Sequence, residues 1–236
     1  HRCRHCPVVP VYDGRFRVIE RDVVLADVRQ QVAAGARHIS FGDPDFLNGP
    51  GHALALIEDL HAEFPGLTYD VTIKVEHLLR HEAALPKLRR TGCLFVISAI
   101  ESFEDGVLER LDKGHTRAQA LAAVELVRGG GLDLSPTFVP FTPWTTLEGY
   151  RGLLSDIVAL DLVAAVAPVQ LALRLLVPAG SLILELDDWP RFAGAYDAEN
   201  LTYAWRNPDP AVDTLQGEIM ALVADGEAAG EERHSL

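Results

Sequence analysis

Basic residues are in short supply in this chain. Its 236 residues contain 21 Lys and Arg against 34 Asp and Glu, a formal charge of −13. Surfaces that bind nucleic acid or anionic lipid need clustered cations to displace counterions, so neither partner is expected. Cysteine is scarcer, with 3 residues, an odd number that cannot close a fully paired disulfide framework. The longest apolar region, Val158 to Val177, is interrupted by Asp161, Pro168 and Arg174, each costly at the centre of a bilayer, and is read as a helix followed by a strand. No apolar stretch with a basic flank opens the chain, so no secretory signal is expected and a reducing cytoplasm is the expected compartment. Phosphate loop, dinucleotide fingerprint and nucleophile elbow are all missing. His77 and His81 stand one helical turn apart but lack the glutamate of a zinc-protease helix, and both are expected to face solvent.

What remains is ordinary globular composition, 48% apolar and 23% charged, in a length that suits one large domain with a short appendage. Amphipathic stretches of helical period alternate with short β-branched runs. Asp22 to Ala34 is a helix that stops at Gly35, and Arg37 to Gly42 a strand. Gly51 to Phe64 is a helix and Leu67 to Ile73 a strand; Glu76 to Arg90 is a helix and Cys93 to Ile100 a strand. Capping-box patterns at Ser102 and Thr116 open two further helices, Leu132 to Val139 follows as a strand, Thr145 caps another helix, and Val169 to Val177 is the last clear strand. After Ser181 the rhythm fails, leaving an irregular covering segment from Trp189 to Pro210, a helix from Val212 to Val223 and an acidic, fraying tail.

Five strands separated by helices predict an α/β fold with a parallel sheet and right-handed crossovers, doubly wound or curled into a barrel. Either way, ligands gather at the loops following the strands. Those loops hold Gly42-Asp43-Pro44-Asp45, Lys74-Val75-Glu76, Glu101-Ser102 and Phe141-Thr142-Pro143-Trp144. Of the three lysines, Lys74 and Lys113 fall beside such loops, where a compact ammonium can pair with a ligand carboxylate; taken singly, each reads as an ordinary surface lysine. Arg174, in an apolar strand, must face the open mouth or meet an acidic partner, because a buried unpaired charge is expensive.

The opening His1-Arg2-Cys3-Arg4-His5-Cys6 places two thiols and two imidazoles ahead of the first helix. Thiolates bind metals, and Arg2 and Arg4 are expected to lower the thiol pKa. A pair of loop cysteines, or half of a structural zinc site, is the plainer reading.

With the βα units that follow, this opening resembles the radical S-adenosylmethionine (radical SAM) enzymes, whose cluster loop reads C-x-x-x-C-x-x-C. Cys3 and Cys6 match its second and third cysteines. The first would fall two residues upstream of His1, and the chain is expected to be a fragment that also lacks the first barrel strand and leaves Arg37 to Phe41 as a sheet edge. Gly42-Asp43-Pro44 resembles the family's Gly-Gly-Glu-Pro turn, which holds the methionyl ammonium; Phe41 and Asp43 replace its first glycine and its glutamate. Ser98-Ala99-Ile100-Glu101-Ser102 and Leu111-Asp112-Lys113-Gly114-His115-Thr116 are similar to a stretch shared by methylthiotransferases and coproporphyrinogen oxidases. By that resemblance Glu101 accepts the ribose hydroxyls and His5 packs near the adenine. The finer likeness is to radical SAM proteins named for a CUAEP or CCAEP tail.

The resemblance implies a partial, open (β/α) barrel over residues 1–180 and a covering segment and helix over 181–236. It implies a [4Fe–4S] cluster on Cys3 and Cys6, and S-adenosylmethionine held by His5, Gly42, Asp43, Pro44, Lys74, Glu101, Ser102 and Arg174. The expected reaction is reductive cleavage of S-adenosylmethionine to a 5′-deoxyadenosyl radical that abstracts hydrogen from a small-molecule or peptide substrate, with an electron donor such as flavodoxin or ferredoxin. Trp144, Trp189 and Trp205 are candidates for excluding water and oxygen, or ordinary core residues. Two other classes stay open: a degenerate, non-catalytic barrel acting as a binding module, and a metal-independent lyase or isomerase.

Overall fold

A computed structural model of the chain describes residues 3–12, 15 and 17–230. In chain order the helices and strands are α1 (Val9–Tyr12), α2 (Arg21–Ala33), β1 (His38–Ser40), α3 (Pro50–Glu63), β2 (Thr68–Thr72), α4 (Val75–Arg80), α5 (Leu85–Arg90), β3 (Cys93–Glu101), α6 (Asp105–Leu111), α7 (Arg117–Gly129), β4 (Asp133–Phe138), α8 (Leu147–Ala159), β5 (Ala193–Asp197), β6 (Thr202–Trp205) and α9 (Pro210–Ala229). Contacts divide the chain into two compact units. One comprises His1–Arg15, Glu101–Arg117 and Thr137–Leu236, the other Phe16–Ile100 and Ala118–Pro136.

The second unit carries the sheet. Its strands lie in the order β1-β2-β3-β4, with β1 at an edge, and β1/β2 and β2/β3 pair in parallel. His38 stands opposite Thr68 and Ser40 opposite Asp70, while between Tyr69 and Asp70 the β2/β3 register slips to take in an extra residue of β3. A parallel sheet is covered on its faces, and Val71, Ile73, Val96 and Ile100 are fully buried. Helical spacing selects the covering residues: Ala53, Leu56, Ile57 and Leu60 of α3 are buried, as are Ala120, Ala123, Val124 and Val127 of α7. Leu25 and Val28 of α2 meet Leu56, Leu60 and Leu67 in one apolar cluster.

In the first unit α6 packs Val107 and Leu111 against Leu175, Val177, Ile183, Trp189 and Trp205. Thr146 caps α8, its hydroxyl accepting from the Gly149 amide at 3.0 Å, and Asp209 caps α9.

Four expectations are corrected. Val169–Val177 is no strand: Pro168 opens a 3-10 turn to Leu171, and a single parallel bridge, Phe141 to Arg174, is all the pairing described there. Glu76–Arg90 is not one helix. His81 leaves helical geometry at φ −118°, a 3-10 turn covers Glu82–Ala84, and Pro86 then suits the first turn of α5. The covering segment holds an antiparallel hairpin, β5/β6. The last helix also reaches further than expected, to Ala229, and the tail from Glu231 onward lies outside the described residues. Among the described residues no helix is long and apolar enough to cross a membrane.

Gly92 links α5 to β3 at φ +103°, and a Cβ there would stand 2.6 Å from the Leu67 carbonyl oxygen. A left-handed conformation costs an L-residue about 1–2 kcal/mol before any collision. Gly92→Ala should therefore lower stability by about 2 kcal/mol or more, read as a reduced urea midpoint with an unchanged m-value; a loss below about 0.5 kcal/mol would contradict the geometry.

Candidate functional site

The cysteine loop is a fastened turn. The Cys6 amide donates to the Cys3 carbonyl at 3.2 Å; Cys3 is buried, Cys6 half-buried, and no disulfide joins any of the cysteines. Between them, Arg4 locks the loop to the end of α6. Its amide donates to the Leu111 carbonyl at 2.9 Å, its guanidinium donates to the carbonyls of Glu109 (3.0 Å) and Arg110 (3.2 Å), and its own carbonyl accepts from the Ser181 hydroxyl at 3.0 Å. The last carbonyls of a helix lack intrahelical partners and carry the negative end of its dipole, so a guanidinium is well placed there. The Arg4 guanidinium is thus directed to the end of α6. His1 and Arg2 lie outside the described residues.

Glu101 ends β3 in the left-handed region, at φ +69°. Its buried carboxylate accepts from His5 Nε2 at 3.1 Å and from Lys113 Nζ at 3.4 Å. Burial alone would push this carboxyl up, but the His5 hydrogen bond and the Lys113 charge outweigh it and hold the group below the ordinary carboxylate value. His5, expected near an adenine, is thus tied by one edge to Glu101, while its buried Nδ1 has no hydrogen-bond partner among the described residues. Lys113 is a buried ion-pair partner rather than a surface lysine. Ser102, next in the chain, is buried, and its hydroxyl accepts from the Glu104 amide at 3.0 Å.

The turn after β1 belongs to the second unit. Asp43 accepts from the Asp45 amide at 2.8 Å and is itself exposed. The buried carboxylate is Asp45, 3% exposed. Its Oδ1 accepts from the Lys74 amide at 3.3 Å; its Oδ2 lies 3.5 Å from Lys74 Nζ and 2.8 Å from His77 Nδ1, the latter off the line of a hydrogen bond. His77, expected to face solvent, is half-buried against Asp45 instead. Asp45 and His77 are site residues that sequence reasoning missed: Asp45 stood in the turn motif, but nothing local marked it, rather than Asp43, as the buried one. Gly42 and Pro44 keep their places in the turn, with open space where a Gly42 side chain would stand.

Arg174 does meet an acidic partner. It donates to Asp213 at 2.7 Å and to the Trp205 carbonyl at 2.6 Å, with its guanidinium 3.5 Å over the Trp205 ring, a brace between β6 and α9. Trp189 and Trp205 are core residues, and Trp144 is half-buried with its indole N–H on Asp188 at 2.9 Å. Among the described residues no group of three or more Cys, His, Asp and Glu side chains is gathered to hold a metal.

Comparison with known proteins gives the following. The family model described as the radical SAM superfamily matches residues 1–148. Bacteriochlorophyllide d C-12(1)-methyltransferase of Chlorobaculum tepidum is 30% identical over 125 residues, 52% of this chain and 27% of that protein. The structure of the cobalamin-dependent S-adenosylmethionine radical enzyme OxsB, with aqua-cobalamin and S-adenosylmethionine bound, superposes with a TM-score of 0.73 at 16% identity, over 95% of this chain and 40% of that one. That of the radical S-adenosylmethionine methyltransferase TsrM from Kitasatospora setae, with cobalamin and a [4Fe–4S] cluster bound, superposes with a TM-score of 0.57 at 21% identity, over 68% of this chain and 30% of that one. These likenesses establish the α/β fold expected of the sequence. The chain spans about a quarter of the curated relative and less than half of either structure.

The lowered pKa of Glu101 has a defined consequence for stability. The folded value lies below the unfolded one of about 4.3, so the contribution is complete above that pH and is lost as pH falls through the folded value. Glu101→Gln leaves Lys113 buried without its counter-charge and should cost about 3 kcal/mol at pH 7. Its stability should also fall less steeply than that of the wild type between pH 5 and pH 3 in urea titrations, about two units spanning the carboxylate range; parallel profiles would overturn the assignment.

Proposed function

The chain belongs to the radical SAM superfamily, and from that premise we propose that it is the core of an enzyme that binds a [4Fe–4S] cluster through Cys3 and Cys6 and uses it on S-adenosylmethionine. When bound, the cluster supplies the electron that cleaves S-adenosylmethionine reductively to methionine and a 5′-deoxyadenosyl radical, which takes hydrogen from a substrate. One observation carries the reading: His5, one of the two residues between the cysteines, is bonded to the carboxylate at the end of β3, so the cysteine loop and Glu101 are tied together.

The residues present fit the two groups. Thiolates are the donors an iron–sulfur cluster takes, and Cys3 and Cys6 share one turn outside any disulfide. His5 Nδ1 is a buried polar atom that a bound partner would satisfy. In this reading Arg4 keeps the loop on α6 and Glu101 offers its carboxylate to hydroxyl donors, with Lys113 balancing the charge. Within the second unit, the Gly42-Asp43-Pro44 carbonyls and buried Asp45 suit an ammonium, which has three donors and no acceptor; Lys74 suits a carboxylate. Two relatives named as methyltransferases support a reaction in which S-adenosylmethionine also serves as methyl source. The substrate is a small molecule or peptide, and the electron comes from a donor such as flavodoxin or ferredoxin.

Anaerobic reconstitution with iron and sulfide tests the reading, using the chain lengthened so that a cysteine stands two positions ahead of His1. The expected result is the visible charge-transfer absorption of a [4Fe–4S] cluster and production of 5′-deoxyadenosine, both abolished by Cys3→Ser or Cys6→Ser. Iron incorporation unaffected by both substitutions would overturn the assignment.

A further inference from the structure

Two cavities of the first unit share one carboxylate that has no assigned task. One, of about 250 Å³, lies along α6 and α8; the other, of about 470 Å³, lies between α6, the Pro143-Trp144 loop and the covering segment. Glu104, Val107, Thr145 and Thr146 line both. The shared walls come from the loops following β3 and β4, the end of a parallel sheet where ligands gather, and the two volumes suit a small organic molecule.

The charges on these walls do not balance. Arg117 is bonded to Asp156, and Arg110 to Asp188. That leaves Glu104, Glu148 and Asp209 facing a single guanidinium, Arg191. Asp209 caps α9. The Glu104 carboxylate accepts no hydrogen bond among the described residues, and burial pushes its pKa up. Space is kept for it: a Cβ on Gly149 would collide with Oε1 of Glu104. Each cavity has an aromatic ring in its wall, Phe103 in one and Trp144 in the other, and each ring already takes a cation on its face, Arg117 on Phe103 at 5.6 Å and Arg110 on Trp144 at 5.4 Å. An anion without a donor, in an acidic cavity walled by rings, is complementary to an organic cation.

We propose that this double cavity is a ligand site for an organic ammonium carried on an apolar or aromatic body, with Glu104 receiving the ammonium and Phe103 and Trp144 flanking it. Its identification as the substrate pocket rests on the radical SAM reading; the binding chemistry does not.

The test uses the chain without iron, so that its failure and failure of the cluster reading are separate results. The probe is 2-phenylethylammonium, with the neutral isostere 2-phenylethanol beside it, and the readout is the indole N–H resonance of Trp144, assigned with Trp144→Phe. The indole of Trp205, bonded to the Leu175 carbonyl in the core, is the internal reference for folding. The amine should shift the Trp144 resonance saturably. The alcohol should bind at least tenfold more weakly, and Glu104→Gln should weaken the amine at least tenfold while the Trp205 resonance stays in place. Gly149→Ala, which moves the carboxylate without removing it, should weaken the amine as well. Equal binding of amine and alcohol, equal binding by wild type and Glu104→Gln, or no shift at all would overturn the proposal. So would competitive displacement of the amine by S-adenosylmethionine, which would make the cavity a cofactor subsite.

Discussion

A single buried carboxylate, Glu101, sets the geometry of the first unit. Taking an ion out of water costs several kcal/mol, and the cost is recovered only where counter-charges and hydrogen bonds surround it. Glu101 has both, from His5 and from Lys113. Its backbone is equally committed, since its carbonyl accepts from the Val139 amide just past β4 at 3.0 Å while its φ of +69° turns the chain out of the strand. A non-glycine residue in that region holds only where its surroundings over-determine it. Here the same side chain that terminates β3 also bonds the loop carrying Cys3 and Cys6, and removing either Glu101 or Lys113 leaves the other as a buried charge without its counter-ion.

The second unit repeats the device with different residues. Asp45 follows β1 as Glu101 ends β3, and it too is buried with a lysine and a histidine as neighbours, Lys74 and His77. A third buried acid, Asp70 in β2, accepts from His38 at 2.9 Å and from the Ser40 hydroxyl, so its charge is satisfied across the β1/β2 pair itself. The three differ in what they leave open. Asp70 is closed by its own strand neighbours, whereas Glu101 and Asp45 sit in loops at strand ends with imidazole nitrogens, His5 Nδ1 and His77 Nδ1, that have no aligned hydrogen bond. Polar atoms in that condition are uncommon inside a fold, which sets these two loops apart from the closed Asp70 cluster.

Much of this architecture was legible in the residues. The helical stripes of α3 and α7 and the β-branched runs of β2 and β3 carry periods that no alternative element would satisfy. The segment Val169–Val177 misled because a short apolar run is compatible with a strand, a helix or a buried loop, and pairing partners decide among them; there the one described β-bridge is Phe141 to Arg174. Burial of charge was hidden for the same reason. His77 and His81 share a helical face, yet only His77 is held by Asp45, and Asp45 is 32 positions distant in the chain. Arg4 could be read as a neighbour of thiols, but its partners are carbonyls at the far end of a helix that begins a hundred residues later, outside the reach of any local pattern.

The stretch Leu111 to Arg117 connects pattern to physics most directly. Leu111 is fully buried and closes the apolar face of α6. Asp112 then adopts a left-handed conformation at φ +50°, and Gly114 another at +75°. Two such residues flanking Lys113 reverse the chain sharply enough to send the ammonium back toward Glu101, while the Arg117 amide reaches Asp105 at the start of α6 at 2.6 Å. Aspartate tolerates the first left-handed position because its short polar side chain suits it, and glycine the second because it has no Cβ. A motif noticed as a string of letters is therefore a folded object with one task, the delivery of a single positive charge beneath a carboxylate.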